Sequence, residues 1–425
     1  MTNPLRRALD VLRGYAALPK GVLVLCLGTM INNLGNFVSP FLTIILTERA
    51  GLSAGQTGLF VTLSSLVALG GILLGGKLTD AIGRKTVLTV FTGLAVVAYL
   101  ACALAVDHTF LLVGLLMVFS LVNAIAQPVQ STIMMDITPP AQRQQAFSLH
   151  YLSINAGYAA GPLLASFLYA ANLPLLFLLD AATTLVALLL AVAFVPESHP
   201  DRTHRPVADQ AGEVAEKGSV WSVLRRRPQL LFFIFVSVLF FLVFSQFNFG
   251  LSLQARSSFG SAGLTVFGLM MTVNALGCVV LTLPVTYPFR RSDPLVPIVV
   301  GSIFYAIGFG MLAFVRTEAL FLLSTLVWTL GEILVSTSTS VYLAGHTPSS
   351  HRGRFNAIFP VIRRVGFAVG PALSGLYAAR HGIVAVWLPT GALALTAGLL
   401  TLRLLSLQRK GERREKPCPT SETVV

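Results

Sequence analysis

A single carboxylate, Glu332, stands in the run Trp328-Thr329-Leu330-Gly331-Glu332-Ile333-Leu334, inside an otherwise apolar stretch. At a rise of 1.5 Å per residue it lies about 21 Å along a helix that starts near residue 318, close to mid-bilayer if that helix crosses a membrane. A carboxylate there is costly and must be protonated, paired or wetted by a cavity. The chemistry open to it is reversible proton binding or contact with a charged ligand; the alternative is a purely structural ion pair. Arg363 and Arg364 lie in a second apolar run. Adjacent residues point about 100° apart on a helix, so one can pair with Glu332 while the other lines a cavity or reaches toward the interface. Amides recur in other runs: Asn32, Asn33 and Asn36, then Gln127 beside Pro128, then Gln246 and Asn248. Asn33 and Asn36 share a helix face. Such amides bind a polar ligand or bond neighbouring helices. Phe37, Phe41, Phe244, Phe247 and Trp328 can form an aromatic wall, or pack against lipid and core. Asp180 reads as a helix-start acid within reach of water. The sequence carries no metal-ligand cluster, no Ser/His/Asp arrangement and no nucleotide loop. An enzyme, a cofactor-dependent protein and an ATP-driven pump are therefore all disfavoured.

The elements that hold these residues follow from composition. The chain has 425 residues, of which 55% are hydrophobic and 11% charged, with a mean hydropathy of +0.78. A soluble chain carries roughly 25% charged residues, so most of this one has no water to face. About twelve apolar runs are each long enough to span roughly 30 Å of hydrocarbon. They begin near residues 21, 56, 86, 109, 146, 174, 229, 262, 294, 318, 354 and 382. With the N-terminus inside, the outer loops hold only Arg49, Arg256, Arg316 and Arg380 among the Lys and Arg residues, while the inner loops and tails are rich in them. This is the positive-inside pattern, and it places both termini in the cytoplasm. The net charge of +13 is then a topology signal and not a sign of nucleic-acid binding. Cys26, Cys102, Cys278 and Cys418 have no metal or disulfide spacing and read as incidental.

The expected architecture is an all-α membrane protein with twelve spans, divided six and six by a polar segment. The boundaries are 1–196, a linker at 197–228, 229–406 and a tail at 407–425. The halves repeat weakly. Gly157-Tyr158-Ala159-Ala160-Gly161-Pro162 matches Gly366-Phe367-Ala368-Val369-Gly370-Pro371 at an offset of 209 (366 − 157), and Pro139/Pro348 and Arg143/Arg352 share that offset. Internal repeats with a site at their interface are typical of secondary transporters. The Gly-x-x-x-Gly-Pro element lets helices approach closely, and its proline can bend the span.

One short loop carries the most specific pattern: Gly76-Lys77-Leu78-Thr79-Asp80-Ala81-Ile82-Gly83-Arg84-Lys85. It resembles the signature loop between spans two and three of the major facilitator superfamily. Gly157, Gly161 and Pro162 resemble the antiporter motif of that family's drug-efflux branch. The resemblance covers the whole chain and implies two pseudo-symmetric six-helix bundles that rock around a central cavity. It further implies a latch. Gly76 allows close packing of spans two and eleven, Asp80 meets the start of span eleven, and Arg84 bridges Asp80 to Asp136. It assigns Glu332 to proton coupling, with Asp136 as a further candidate. It makes Asn33, Asn36, Phe37, Gln127, Gln246, Asn248, Trp328 and Glu332 substrate-contact candidates, because spans one, four, seven and ten line the cavity in this family; Arg363 and Arg364, cations near mid-depth of span eleven, join them. The implied activity is proton-coupled efflux of an amphipathic small molecule by a monomer in the cell membrane, with no cofactor beyond the proton gradient. A facilitator or importer of a polar or anionic metabolite, favoured by Arg363 and Arg364, and a lipid or glycolipid flippase are the alternatives.

Overall fold

The computed structural model describes residues 15, 17–139, 142–197, 225, 227–346 and 352–415; the side chains of Asp80, Gln144, Ala170, Ala171, residues 344–346 and 352–361, Arg363 and residues 410–415 lie outside that description. The architecture is helical throughout, with no strand among the described residues. In the first half, α1 (Lys20–Leu34) is followed by α2 (Val38–Ile44), which widens into a π-helical turn (Ile45–Arg49). Then come α3 (Ala54–Ile82), α4 (Arg84–Leu104), α5 (Thr109–Ile137), α6 (Arg143–Ala171) and α7 (Leu173–Phe194). The second half holds α8 (Pro228–Phe244), α9 (Gly250–Phe259), α10 (Gly263–Thr286), α11 (Leu295–Met311), α12 (Glu318–His346), α13 (Arg352–His381) and α14 (Trp387–Glu415). Eight helical segments among the described residues are long and apolar enough to cross a membrane, one of them the 62-residue stretch Pro228–Phe289, and Leu295–Met311 is a shorter apolar helix.

The helix starts fall within a few residues of those expected from hydropathy. Of the polar linker expected at 197–228, residues 198–224 and 226 lie outside the described residues, as do Asp80's side chain and the loop residues 347–351. The last helix, α14, continues to Glu415, past the expected start of the tail at residue 407. Its last turns hold Arg409, Lys410, Arg413 and Arg414, cations that suit a helix C-terminus. Pro228 opens α8 at a position where its missing N–H costs nothing.

Short connectors fold successive helices back, so the loops gather at two faces. One face, here the charged face, holds Gly83, Thr138 and the Pro196–Glu197 pair. The opposite, distal face holds the turns at 50–53, 105–108, 260–262 and 382–386. The α3–α4 turn on the charged face is a single residue, Gly83, at φ 94°. Only glycine adopts that conformation without strain.

Large apolar side chains cover the outside of the helices; Val97 is 60% exposed and Leu399 66%. Such a surface suits hydrocarbon and not water. Inside, hydroxyls are satisfied locally, as when Thr29, Ser120 and Thr325 each donate to the carbonyl four residues back. The core of the second half is aromatic: Phe309 stacks on both Trp328 and Trp387, at centroid distances of 5.4 and 6.0 Å.

The repeat extends beyond the motifs that revealed it. A Cβ on Gly161 would stand 2.9 Å from the Asn33 carbonyl oxygen of α1, and a Cβ on Gly370 would stand 3.1 Å from that of Leu242 in α8. Since 33 + 209 = 242, each Gly-x-x-x-Gly-Pro element packs on the first helix of its own half at equivalent depth.

The halves touch through α3 with α13, α6 with α10 and α2 with α9. A Cβ on Gly58 would lie 2.2 Å from the Pro371 carbonyl oxygen, and one on Gly268 would lie 2.8 Å from that of Pro162. The two motif prolines therefore each rest on a glycine of the opposite half, near the distal face.

Candidate functional site

Among the described residues, one cavity between the helices, about 230 Å³, is bounded by α2, α3 and α5 on one side and by α13 on the other. Its polar lining includes Ser39, Ser64, Ser120, Asn123, Gln127 and Arg364. Arg364 reaches across the halves and donates to the Gln127 side-chain oxygen. It does not pair with Glu332, as one of the two arginines was expected to. Arg363's side chain lies outside the described residues.

Glu332 sits midway along α12, half-buried, and faces α10. Asn274 donates to Glu332 Oε2 at 2.7 Å and lies 3.0 Å from Thr329 Oγ1, while Cys278 Sγ lies 3.8 Å from the same carboxylate oxygen. Asn274 and Cys278 are one turn apart on α10. The carboxylate's partners among the described residues are thus neutral. Cys278 is therefore not incidental. Asn274 was missed, although an amide in an apolar run is the same signal that singled out Gln127. The repeat offset places Asn123 opposite Glu332 (332 − 123 = 209), so one half carries an amide where the other carries the acid.

Asp180 departs most from its expected setting. It is 1% exposed and not within reach of bulk water. Its carboxylate accepts hydrogen bonds from the Phe37 and Val38 backbone N–H groups, at 2.8 and 3.0 Å. Those donors open α2, just after the break at Gly35–Phe37, so Asp180 satisfies a helix N-terminus in the middle of the first span. A smaller cavity, about 80 Å³, adjoins this carboxylate.

The remaining amides divide. Asn33 and Asn36 line the smaller cavity; Asn33 donates to the Thr29 carbonyl, and Asn36 to the Tyr158 hydroxyl at 2.8 Å. Phe37 is buried and contributes through its backbone. Gln246 and Trp328 are fully buried and line neither cavity: Gln246 donates toward Ser245, and Trp328 belongs to the aromatic core. They are structural in this conformation, because both sit on the packed side of their helices. Asn248 is half-buried, and its carbonyl accepts from Ser252.

On the charged face, Arg84 pairs with Asp136. Glu197 at the end of α7 accepts from the Arg84 and Lys85 backbone N–H groups, at 3.2 and 3.1 Å, and so caps α4. A Cβ on Gly76 would meet no described atom within 4 Å, and the side chains at the start of α13, which it was expected to approach, lie outside the description. The close-packing glycines of α3 at this end are Gly71 and Gly75, against Leu121 and Ile125 of α5. On the distal face an ion pair that the sequence did not suggest, Glu48 with Arg256, ties the π-helical turn to α9. The Tyr169 hydroxyl donates to the same glutamate at 3.2 Å.

This arrangement of helices and loops recurs in known proteins. The family model of the Major Facilitator Superfamily matches residues 25–359 and 265–422. The uncharacterized MFS-type transporter YqjV of Bacillus subtilis (strain 168) is 25% identical over 365 residues, which are 82% of this chain and 84% of that protein. The multidrug resistance protein MdtH of Aeromonas hydrophila is 24% identical over 391 residues, 90% of this chain and 93% of that one. A Na(+), Li(+), K(+)/H(+) antiporter of Planococcus maritimus is 21% identical over 396 residues, 88% and 92%. Among solved structures, a POT family transporter in complex with a thioalcohol conjugated peptide superposes with a TM-score of 0.76 at 13% identity, covering 92% of this chain and 96% of that one. The chain belongs to the major facilitator superfamily.

Proposed function

We propose that this transporter exports amphipathic small molecules in exchange for protons, with Glu332 as the coupling group. In this reading the chain crosses the membrane twelve times as two six-helix bundles and works as a monomer. Its charged face, with both termini, lies in the cytoplasm. The observation that carries the proposal is the carboxylate at mid-helix held by the neutral partners Asn274 and Cys278. A fixed structural acid would be expected to rest against a cation. An acid that must alternate between charged and neutral forms is better served by neutral neighbours that tolerate both. The names of two relatives, a multidrug resistance protein and a Na(+), Li(+), K(+)/H(+) antiporter, lend support.

The cycle follows from the two faces. With the distal end closed by the glycine–proline contacts, the cavity opens toward the cytoplasm; Glu332 releases its proton there and substrate enters. Rocking then closes the charged face, where Arg84, Asp136 and the Asp80 loop form the latch, and presents the cavity to the other side. Protonation of Glu332 from that side resets the carrier.

The test is transport in proteoliposomes loaded with a lipophilic cationic dye. The parent should concentrate dye uphill when a pH gradient is imposed, and Glu332→Gln should lose this gradient-driven accumulation while retaining dye exchange at equal pH. Unchanged accumulation by the variant sinks the coupling role. Arg364 on the wall of the larger cavity favours a second reading, movement of a substrate bearing an anionic or zwitterionic group. If such a substrate equilibrates equally well with and without the gradient, the protein is a facilitator.

A further inference from the structure

The buried acid that the proposed cycle leaves unused is Asp180, and its surroundings are unlike those of Glu332. It lies at the one place where a long helix is interrupted within the first half: α1 ends at Leu34, and α2 restarts at Val38. The interruption brings the C-terminal end of α1, whose Ile31 and Asn33 carbonyls accept from the Gly35 and Asn36 N–H groups, next to the N-terminal end of α2, which Asp180 caps. Around the gap most of the lining carries side-chain oxygen, from Asn32, Asn33, Asn36, Asn123, Tyr99, Thr184 and the Asp180 carboxylate, and Gly35, Ala95 and Phe119 complete it. Asn32 accepts from the Thr184 hydroxyl at 2.9 Å, which orients that amide. The side-chain nitrogens of Asn33 and Asn36 are engaged elsewhere, on Thr29 and Tyr158, which leaves both amide oxygens unspent.

We propose that this cavity is a binding site for one alkali cation. Four features set the ligand class. The donors are hard oxygens, which select alkali and alkaline-earth ions over transition metals. A single carboxylate supplies one negative charge, which matches a monovalent ion and leaves a divalent one uncompensated. No ion pair to Asp180 occurs among the described residues, so its charge has the α2 N-terminus as partner and otherwise neutral dipoles. The volume of about 80 Å³ holds a cation with a water or two and excludes an organic substrate. Broken helices whose carbonyls and half-helix ends meet at mid-membrane are where transporters place ions.

Phe119 and Asn123 of α5 line both cavities, so the small cavity adjoins the larger one across these two side chains. Occupancy of the small cavity would neutralise the acid that holds the break in the first span, and so would bias how α2 meets α9 across the halves.

The test uses the purified full-length protein in detergent and follows thermal unfolding. Lithium, sodium or potassium chloride replaces choline chloride at constant ionic strength. At least one alkali chloride should raise the melting temperature by a few degrees in a saturable way, as mass action requires of a ligand that binds only the folded state. Asp180→Asn should abolish the rise; if that variant does not fold, Thr184→Val should shift the half-saturating concentration upward by about tenfold. Lowering the pH should also raise that concentration, because a proton competes for the same carboxylate. The titratable groups turned toward Asp180 are the phenols Tyr99 and Tyr158, with Cys102 beyond Tyr99. Glu332→Gln should keep the full cation response, which separates this site from the coupling proposal. Equal stabilisation by choline and by all three alkali ions overturns the site, and so does a response that survives Asp180→Asn.

Discussion

Glu48 and Arg256 are each about a third exposed, at 30% and 33%. Their ion pair therefore has the strength of a surface contact, about 0.2–1 kcal/mol. Small as it is, it spans the halves, so it acts directly on the equilibrium between distal-closed and distal-open states. Replacing Glu48 by alanine should raise the distal-open population about 1.4- to 5-fold, as read from spin-label distances across that face. The charge-swapped pair, Glu48→Arg with Arg256→Glu, should restore the parent distribution, and a swap that behaves like the single variant rules out an ion-pair lock. Neither residue was legible as a pair, because they are separated by 208 positions. Glu332 was legible, since a carboxylate in an apolar run is conspicuous by its cost. Its ligands were not: Asn274 and Cys278 became partners only when α10 was laid against α12.

The helices meet where side chains vanish. Pro162 and Pro371 each present a backbone carbonyl to a glycine of the opposite half, and neither glycine has room for a methyl group. Gly58→Ala should wedge α3 from α13 at the distal face. It should cut transport at least tenfold while leaving expression and the melting temperature close to the parent, because alanine is the better helix former. Gly70→Ala, on the same helix but facing open space, is the control and should transport normally. If both variants transport alike, closure does not depend on this contact. The Gly-x-x-x-Gly-Pro spacing told of close packing in the sequence, yet not which helix was the neighbour. In the structure the glycines serve packing within a half, on α1 and α8, and the prolines serve closure between halves.

At the scale of the whole molecule, the distal contacts hold the halves together on one side. The proposed latch would hold them together on the other, in the opposite state of the cycle. Arg84 pairs with Asp136 within the first half even while the distal face is closed, so this pair is preformed. Arg84→Ala should therefore weaken the latch only when the charged face closes. Distance measurements across the charged face should show a smaller closed fraction than the parent, with the distal-closed distances themselves unchanged. A variant whose distance distributions match the parent on both faces places the latch elsewhere.

The pattern of apolar runs, the skew of the basic residues and the repeat at 209 were enough to determine helical class, membrane setting and internal duplication. Each depends on local chemistry: what a helix surface must present to hydrocarbon, and what a short loop must present to water. Tertiary structure alone decided the rest. It moved Asp180 from a wetted helix start to a buried cap on a broken span, turned Trp328 and Gln246 into core, and set Arg364 against Gln127 on a cavity wall. Burial and partnership at those positions depend on which helices lie side by side. In an almost uniformly apolar chain, periodicity carries little information about that choice; it rests on where glycines permit contact and where buried polar groups find partners.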